Sequence, residues 1–260
     1  MIFDPLQAVT GDDWLQTRQG RRLYLRQEKL ILDLVAPVAG ESVLDVGCGS
    51  GNTLRMFGRK KCLLTGMDPS AAALESARRN LGALCELVLG NAADIPFSDN
   101  EFDVVTLTGG LQGSANPQKA LAEAVRVSRN RVFVGFLNRY SSAGTEQAVR
   151  NFFGFPAASN LRFFSIGEMQ TLIHKTMSGA QIQWGSVMCL PGPAVALLSS
   201  LEDLFPMRNN PLGAFVGMVF SVNYTYRTVQ HPVLNSFKLK ARERAAAPEA
   251  VRDMLREGKP

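Results

Sequence analysis

Histidine is nearly absent from this chain: His174 and His231 are the only two in 260 residues. Cysteine is scarce as well, and Cys48, Cys62, Cys85 and Cys189 form no CxxC pair. No zinc or iron site can be assembled from such spacing, so no metal is expected. Isolated thiols of this kind fit a reducing cytosol better than a disulfide framework. Long apolar runs are missing too. The stretches near Ala194 and Ala214 are interrupted by Pro193, Glu202 and Pro211 and are too short to span a bilayer. Met1-Ile2-Phe3-Asp4-Pro5 has no basic segment followed by an apolar core, so no signal peptide is read there. These absences together lead to the expectation of a cytoplasmic protein without a membrane span. Aromatics are 8% of the chain and do not interleave with basic residues as a single-strand binder requires. The net charge of +5 is dispersed. Its two small clusters, Arg18-Arg21-Arg22-Arg26 and Lys238 to Arg244, read as solvated helix faces before they read as nucleic-acid patches.

What the sequence does hold is organised around Val43-Leu44-Asp45-Val46-Gly47-Cys48-Gly49-Ser50-Gly51. A buried strand, Ser42 to Val46, runs into a turn with glycine at alternate positions, and a helical pattern follows from Asn52 to about Phe57. Side chains at those positions would forbid the turn or hold a ligand off the backbone. Such a turn also offers backbone N–H groups to an anionic group. Asp45 stands at the strand's carboxyl end, where open α/β sheets bind ligands, and it can accept from an ammonium or an ordered water. Taken alone, the glycine run fits a plain structural turn equally well. A second apolar strand, Leu63 to Met67, ends on Asp68, placed to hold ribose hydroxyls. The dinucleotide pattern G-x-G-x-x-G fails, because counting from Gly47 puts Asn52 at its last position.

The run Asp45-x-Gly47-x-Gly49-x-Gly51 resembles motif I of the class I S-adenosylmethionine-dependent methyltransferases, in particular a type-11-like, small-molecule branch. The resemblance implies one α/β domain with a Rossmann-like, mostly parallel seven-stranded sheet of order 3-2-1-4-5-7-6, helices on both faces and a cap segment. It implies S-adenosyl-L-methionine as methyl donor, with S-adenosyl-L-homocysteine as product. By the same resemblance Asp45, Gly47, Cys48, Gly49, Gly51, Asp68, Pro69, Asn91, Ala92 and Thr108 are cofactor positions. Gly90-Asn91-Ala92-Ala93-Asp94 resembles the family's adenine loop, with Asn91 where an acid is usual. Its amide oxygen can still accept, without charge assistance. Many relatives carry His or Glu soon after strand four. Here Gly110-Leu111-Gln112-Gly113 stands instead, and glutamine cannot take a proton, so Gln112 is expected only to orient a substrate.

The remaining expectations follow in chain order. The leader, residues 1–41, carries Trp14 in a helix expected to fold over the cleft, or simply to pack on the sheet; Pro37 stops it. Ser70 caps a helix through Asn80, and Asn116-Pro117 opens another. Ser128-Arg129-Asn130 is read as a tight reversal, with Asn130 able to turn left-handed before a fifth strand from Arg131 to Leu137. Asn138 and Tyr140, at that strand's end, are candidate substrate contacts or loop caps. Ser165-Ile166-Gly167-Glu168 has capping-box form. The segment 190–213 is too long for a hairpin loop and is expected to cap the site or form an interface. The domain is expected to span 1–237, with 238–260 a charged tail.

Function is expected to be methyl transfer to a small, partly apolar molecule, with no general base named. Two alternatives stay open: a methyltransferase-like protein that binds the cofactor without catalysis, and an RNA or protein methyltransferase. Thr108-Gly109-Gly110-Leu111 lacks the Asn/Asp-Pro-Pro-Tyr/Phe signature of base-amine methylation, which counts against nucleic acid. Oligomeric state is open, and a homodimer is allowed.

Overall fold

In the computed structural model, the described residues are 18–141, 162–187, 207–208, 210–211 and 213–222. Trp14, the greater part of 190–213 and the tail lie outside them. The described chain runs α1 (Arg18–Val35), β1 (Ser42–Val46), α2 (Asn52–Gly58), β2 (Leu63–Asp68), α3 (Ala71–Leu81), β3 (Cys85–Leu89), β4 (Phe102–Leu107), α4 (Pro117–Val127), β5 (Ser128–Leu137), α5 (Ile166–Thr176), β6 (Ile182–Val187) and β7 (Phe215–Ser221).

The strands form one sheet of order β3-β2-β1-β4-β5-β7-β6. The first five pair in parallel, and β7 runs antiparallel between β5 and β6. This is the order that the motif resemblance implies. Its direction of growth reverses between β1 and β4, and at such a switch point an open parallel sheet leaves a crevice outside its carboxyl ends.

Alternate residues on each strand divide the core into two layers. On β4, Val105 packs with Leu44, Val134 and Phe136 under α4 and α5. Its neighbour Val104 faces the opposite way, with Phe133, Val219 and residues of α1, α2 and α3. Burying both faces explains why the central strands are almost continuously apolar. The sheet's β6 edge does not stand bare. Ser186 donates its N–H to Met207 O at 2.7 Å, and Gly185 forms a bridge with Arg208. Such cover removes an open template for strand addition.

Helix boundaries follow local chemistry. α1 stops at Val35, where Ala36 has φ 47° ahead of Pro37. Ser70 accepts from Ala73 N at 3.3 Å and Asn116 from Lys119 N at 3.0 Å, as their positions predict. Two expectations need correction. There is no reversal at Ser128-Arg129-Asn130, and Asn130 is not left-handed: β5 begins at Ser128, directly after α4. Ser128 pairs with Phe102 and Arg131 with Val104, so β5 carries an extra residue there. The bulge turns Arg129 and Asn130 onto Asp103, whose other oxygen takes the Ser42 N–H and hydroxyl. The capping box before α5 is half made. Ser165 accepts from Glu168 N at 3.1 Å, while the Glu168 carboxylate goes to Arg139 and Arg162.

Candidate functional site

The site is built at the carboxyl ends of β1, β2 and β4. Gly47, Gly49 and Gly51 all have positive φ, at 77°, 54° and 83°. Their roles differ. A Cβ on Gly47 would sit 2.5 Å from Gly110 N, and one on Gly110 would sit 2.7 Å from Val46 O. The β1 and β4 exits therefore touch backbone to backbone, with no room for side chains. A Cβ on Gly51 would meet Leu81 Cδ1 at 2.6 Å, so this glycine lets α2 close on α3. Only Gly49 faces open space, with nothing within 4 Å of where its Cβ would stand.

The expectation that this turn holds out its N–H groups to an anion is narrowed, because four of them are spent within the fold. Gly47 N and Cys48 N donate to Met67 O, at 2.7 and 3.1 Å. Gly49 N donates to Asp68 Oδ2 at 2.9 Å, and Gly51 N to Cys48 O at 2.9 Å. Those donors hold the turn rather than a ligand. From other sides, Asn80 donates to Ser50 O, and the Tyr24 hydroxyl of α1 donates to Asn52 O at the start of α2. The cradle is thus fixed by β2, α3 and α1 before any ligand arrives, the arrangement that lowers the cost of binding.

Asp45 is fully buried. Its Oδ1 accepts from the Thr106 hydroxyl at 2.6 Å and the Thr108 hydroxyl at 3.2 Å. Thr108 lies in turn 3.3 Å from the Thr53 hydroxyl of α2. The other oxygen, Oδ2, is buried and has no partner among the described residues. Burial pushes the Asp45 carboxyl up to about 6, against the hydroxyls of Thr106 and Thr108, which pull it down. A buried carboxylate with one idle oxygen is a receptor for a cation or a strong donor. Thr106 and Thr53, which complete this arrangement, escape a motif reading. Both are ordinary residues in strand and helix patterns, and their role comes from side chains meeting across elements.

Asp68 closes the neighbouring strand. Besides Gly49 N, it accepts from Ser70 N at 2.8 Å through Oδ1. Each oxygen keeps acceptor capacity, so the acid can hold vicinal hydroxyls as well as the turn. Pro69 is exposed beside it, and Ala92 is buried. Asn91 is exposed, and its side-chain oxygen already accepts from Ala93 N at 2.9 Å, shaping its own loop. That loop is anchored to α4: Glu123 takes the Ile95 N–H, and Arg126 donates to the Ile95 and Phe97 carbonyls, each at 2.8 Å. Cys48 is buried, and burial raises its thiol pKa strongly, so it stays protonated and unreactive.

The candidate substrate residues separate. Asn138 is fully buried and spends its side chain within the fold: Nδ2 donates to Pro211 O and Gly213 O at 2.8 and 2.9 Å, and Oδ1 accepts from Tyr140 N. It is placed as the loop cap of the two readings. Tyr140 is 66% exposed. Gln112 is 4% exposed, and its Nε2 has no partner among the described residues. Trp14 lies outside them. No group of three or more His, Cys, Asp and Glu among the described residues could hold a metal, and no described helix is long and apolar enough to cross a membrane.

Comparison with known proteins agrees with this geometry. A family described as "Methyltransferase domain" matches residues 44–134, from β1 into β5. The chain is 35% identical over 133 residues to a demethylmenaquinone methyltransferase of Renibacterium salmoninarum, covering 49% of this chain and 53% of that one. It is 34% identical over 109 residues to a ubiquinone/menaquinone biosynthesis C-methyltransferase of Roseobacter denitrificans, covering 39% and 44%. The chain thus spans about half the length of these curated relatives. Among solved structures, a possible histamine N-methyltransferase of Thermotoga maritima superposes with TM-score 0.60 at 21% identity, over 82% of this chain and 94% of the other. A [4+2]-cyclase superposes with TM-score 0.54 at 19% identity, over 75% and 80%. These structural likenesses establish the fold, and the cyclase illustrates that the fold alone does not fix the reaction.

Proposed function

We propose that this protein, whose residues 44–134 match a family described as "Methyltransferase domain", is a class I methyltransferase that transfers a methyl group from S-adenosyl-L-methionine to a small, partly apolar acceptor. The observation that carries the proposal is the idle Oδ2 of the buried Asp45. It stands at the switch point, where the methionine ammonium of the donor would complete it. Gly49 leaves room for the donor beside the turn. Asp68 keeps capacity for the two ribose hydroxyls, and the loop from Asn91 frames the adenine.

S-adenosylmethionine supplies a methyl on a sulfonium, already a good leaving group. The chain's part is to hold acceptor and methyl in line and to exclude water, which can supply much of the acceleration. An apolar acceptor is supported by the quinone substrates in the names of the matched relatives. The acceptor is placed in this reading at the mouth of the β1–β4 crevice. A cytoplasmic setting belongs to the same reading.

A second reading keeps the cofactor and drops the transfer. It is favoured by one observation: no side chain from Thr108 to Gly113 can take a proton. Calorimetry with S-adenosylmethionine, followed by mass spectrometry of apolar phenols and quinols incubated with protein and donor, separates the two. Binding with a product heavier by one CH2 supports transfer. Binding without any product supports the second reading, and no binding contradicts both.

A further inference from the structure

Gln112 is the buried group that the cofactor reading leaves unexplained. It is 4% exposed, and its Nε2 has no hydrogen-bond partner among the described residues. A buried amide donor left idle is costly, so such a group usually answers to something bound. Its placement is specific. Gln112 follows Gly110, whose backbone is wedged against Val46 O at the exit of β1. Its own carbonyl accepts from Arg162 N at 3.4 Å, which ties the loop to the chain entering α5. Gln112 therefore stands in the loop after β4, tied on one side to the exit of β1 and on the other to the chain entering α5, outside the switch point where the direction of strand growth reverses.

The chemistry of the neighbourhood narrows what it meets. Among the described residues, the buried polar groups at the ends of β1, β2 and β4 are Asp45, Asp68, Thr106 and Gln112. Asp45 and Asp68 are committed to the turn and the donor, and neither a threonine hydroxyl nor a glutamine amide can act as a base near neutral pH. His174, the only histidine among the described residues, is exposed on α5.

We propose that Gln112 Nε2 donates a hydrogen bond to an ionised oxygen of the acceptor, and that the acceptor is of the phenol or enol class, ionised in water before transfer. This rests on the methyl-transfer reading above. The balance is simple. The acceptor's proton goes to solvent beforehand. The electron pair of the ionised oxygen, or of a ring carbon conjugated with it, forms the bond to the methyl carbon, while the carbon–sulfur pair leaves with sulfur. Where carbon attacks, its hydrogen departs to water afterwards. Gln112 holds the oxygen in place and favours its charged form, and no proton need pass to the protein.

The test uses the full chain saturated with S-adenosylhomocysteine and 4-nitrophenol as probe, whose ionised form is coloured. The wild type is expected to bind the phenolate and to lower its apparent pKa. Gln112→Leu and Gln112→Glu are expected to lower phenolate affinity by about ten- to a hundredfold, the range for a lost hydrogen bond to a charged group. Both should abolish the pKa shift while leaving S-adenosylhomocysteine affinity within twofold. An unshifted probe, an absence of probe binding, or an equal shift in all three proteins overturns the role of Gln112. Failure of S-adenosylhomocysteine to bind the wild type instead overturns the underlying reading. A Gln112→Leu that fails to fold is covered by the nearly isosteric Gln112→Glu.

Discussion

The backbone nitrogen of Gly49 lies 2.9 Å from Asp68 Oδ2 and donates to it. The glycine turn after β1 and the acid that ends β2 are therefore one unit. Asp68 shapes the turn, whatever it holds besides. Asp68→Ala is expected to weaken S-adenosylhomocysteine binding by tenfold or more. It should also destabilise the ligand-free protein by about 1–3 kcal/mol, because the N–H groups of Gly49 and Ser70 lose their acceptor. Calorimetry and denaturant unfolding check the two effects. Loss of affinity with unchanged stability would mean that the turn does not depend on Asp68.

Gly47 and Gly49 should respond unequally to the same change. Gly47→Ala drives a methyl to 2.5 Å from Gly110 N, and backbone cannot swing aside. Its cost is expected to exceed that of Gly49→Ala by several kcal/mol, as for overpacking in a rigid core. Gly49→Ala meets open space and should lose only about 1–2 kcal/mol to its positive φ. Urea unfolding of the two variants makes the comparison, and equal losses would contradict the packing described.

Asp45 gives a pH signature. Its folded-state carboxyl is raised to about 6 from an ordinary 3.8, chiefly by burial. The folded state thus holds the proton more tightly than the unfolded chain does. The stability this contributes is fully present below about pH 4 and is lost as pH rises through about 6. Asp45→Asn removes the buried charge and is expected to stabilise the ligand-free protein by about 1–3 kcal/mol at pH 8, with little gain at pH 4. Thermal unfolding across that range is the check. The same variant should bind S-adenosylhomocysteine more weakly, since an amide cannot neutralise an ammonium.

Arg126 is expected to act at a distance. Its guanidinium holds the Ile95 and Phe97 carbonyls and pairs with Glu123 and Asp99. Its bonds to Glu123 hold that carboxyl below the usual range. Arg126→Met frees the loop that follows Asn91. We expect severalfold weaker S-adenosylhomocysteine binding with faster hydrogen exchange over 91–99, and unchanged exchange there would remove the link.

The parallel half of the sheet was readable because burial on both faces writes long apolar strands, and each is followed by its turn and capping chemistry. Ser70 and Asn116 cap as their positions imply. What escaped were features made by partners remote in sequence. The N–H groups of the glycine run look available until Met67 O and Asp68 Oδ2 are seen to take them. Ser128-Arg129-Asn130 has the composition of a turn, yet Asp103 draws it into a strand bulge. Asn138 sits where a substrate contact is expected, but the backbone at Pro211 and Gly213 claims it. Gln112 was visible only as a departure from a family pattern. Its burial and idle donor belong to the folded chain alone.

The central claim is that S-adenosylmethionine and its product bind over the turn at Gly49. Isothermal titration of S-adenosylhomocysteine into the wild type and into Gly49→Val tests it most directly, with thermal unfolding to verify that the variant is folded. The expected result is saturable one-to-one binding to the wild type and none to the folded variant, whose branched side chain fills the open space. Absence of binding to the wild type, or equal affinity in the two proteins, would contradict the account.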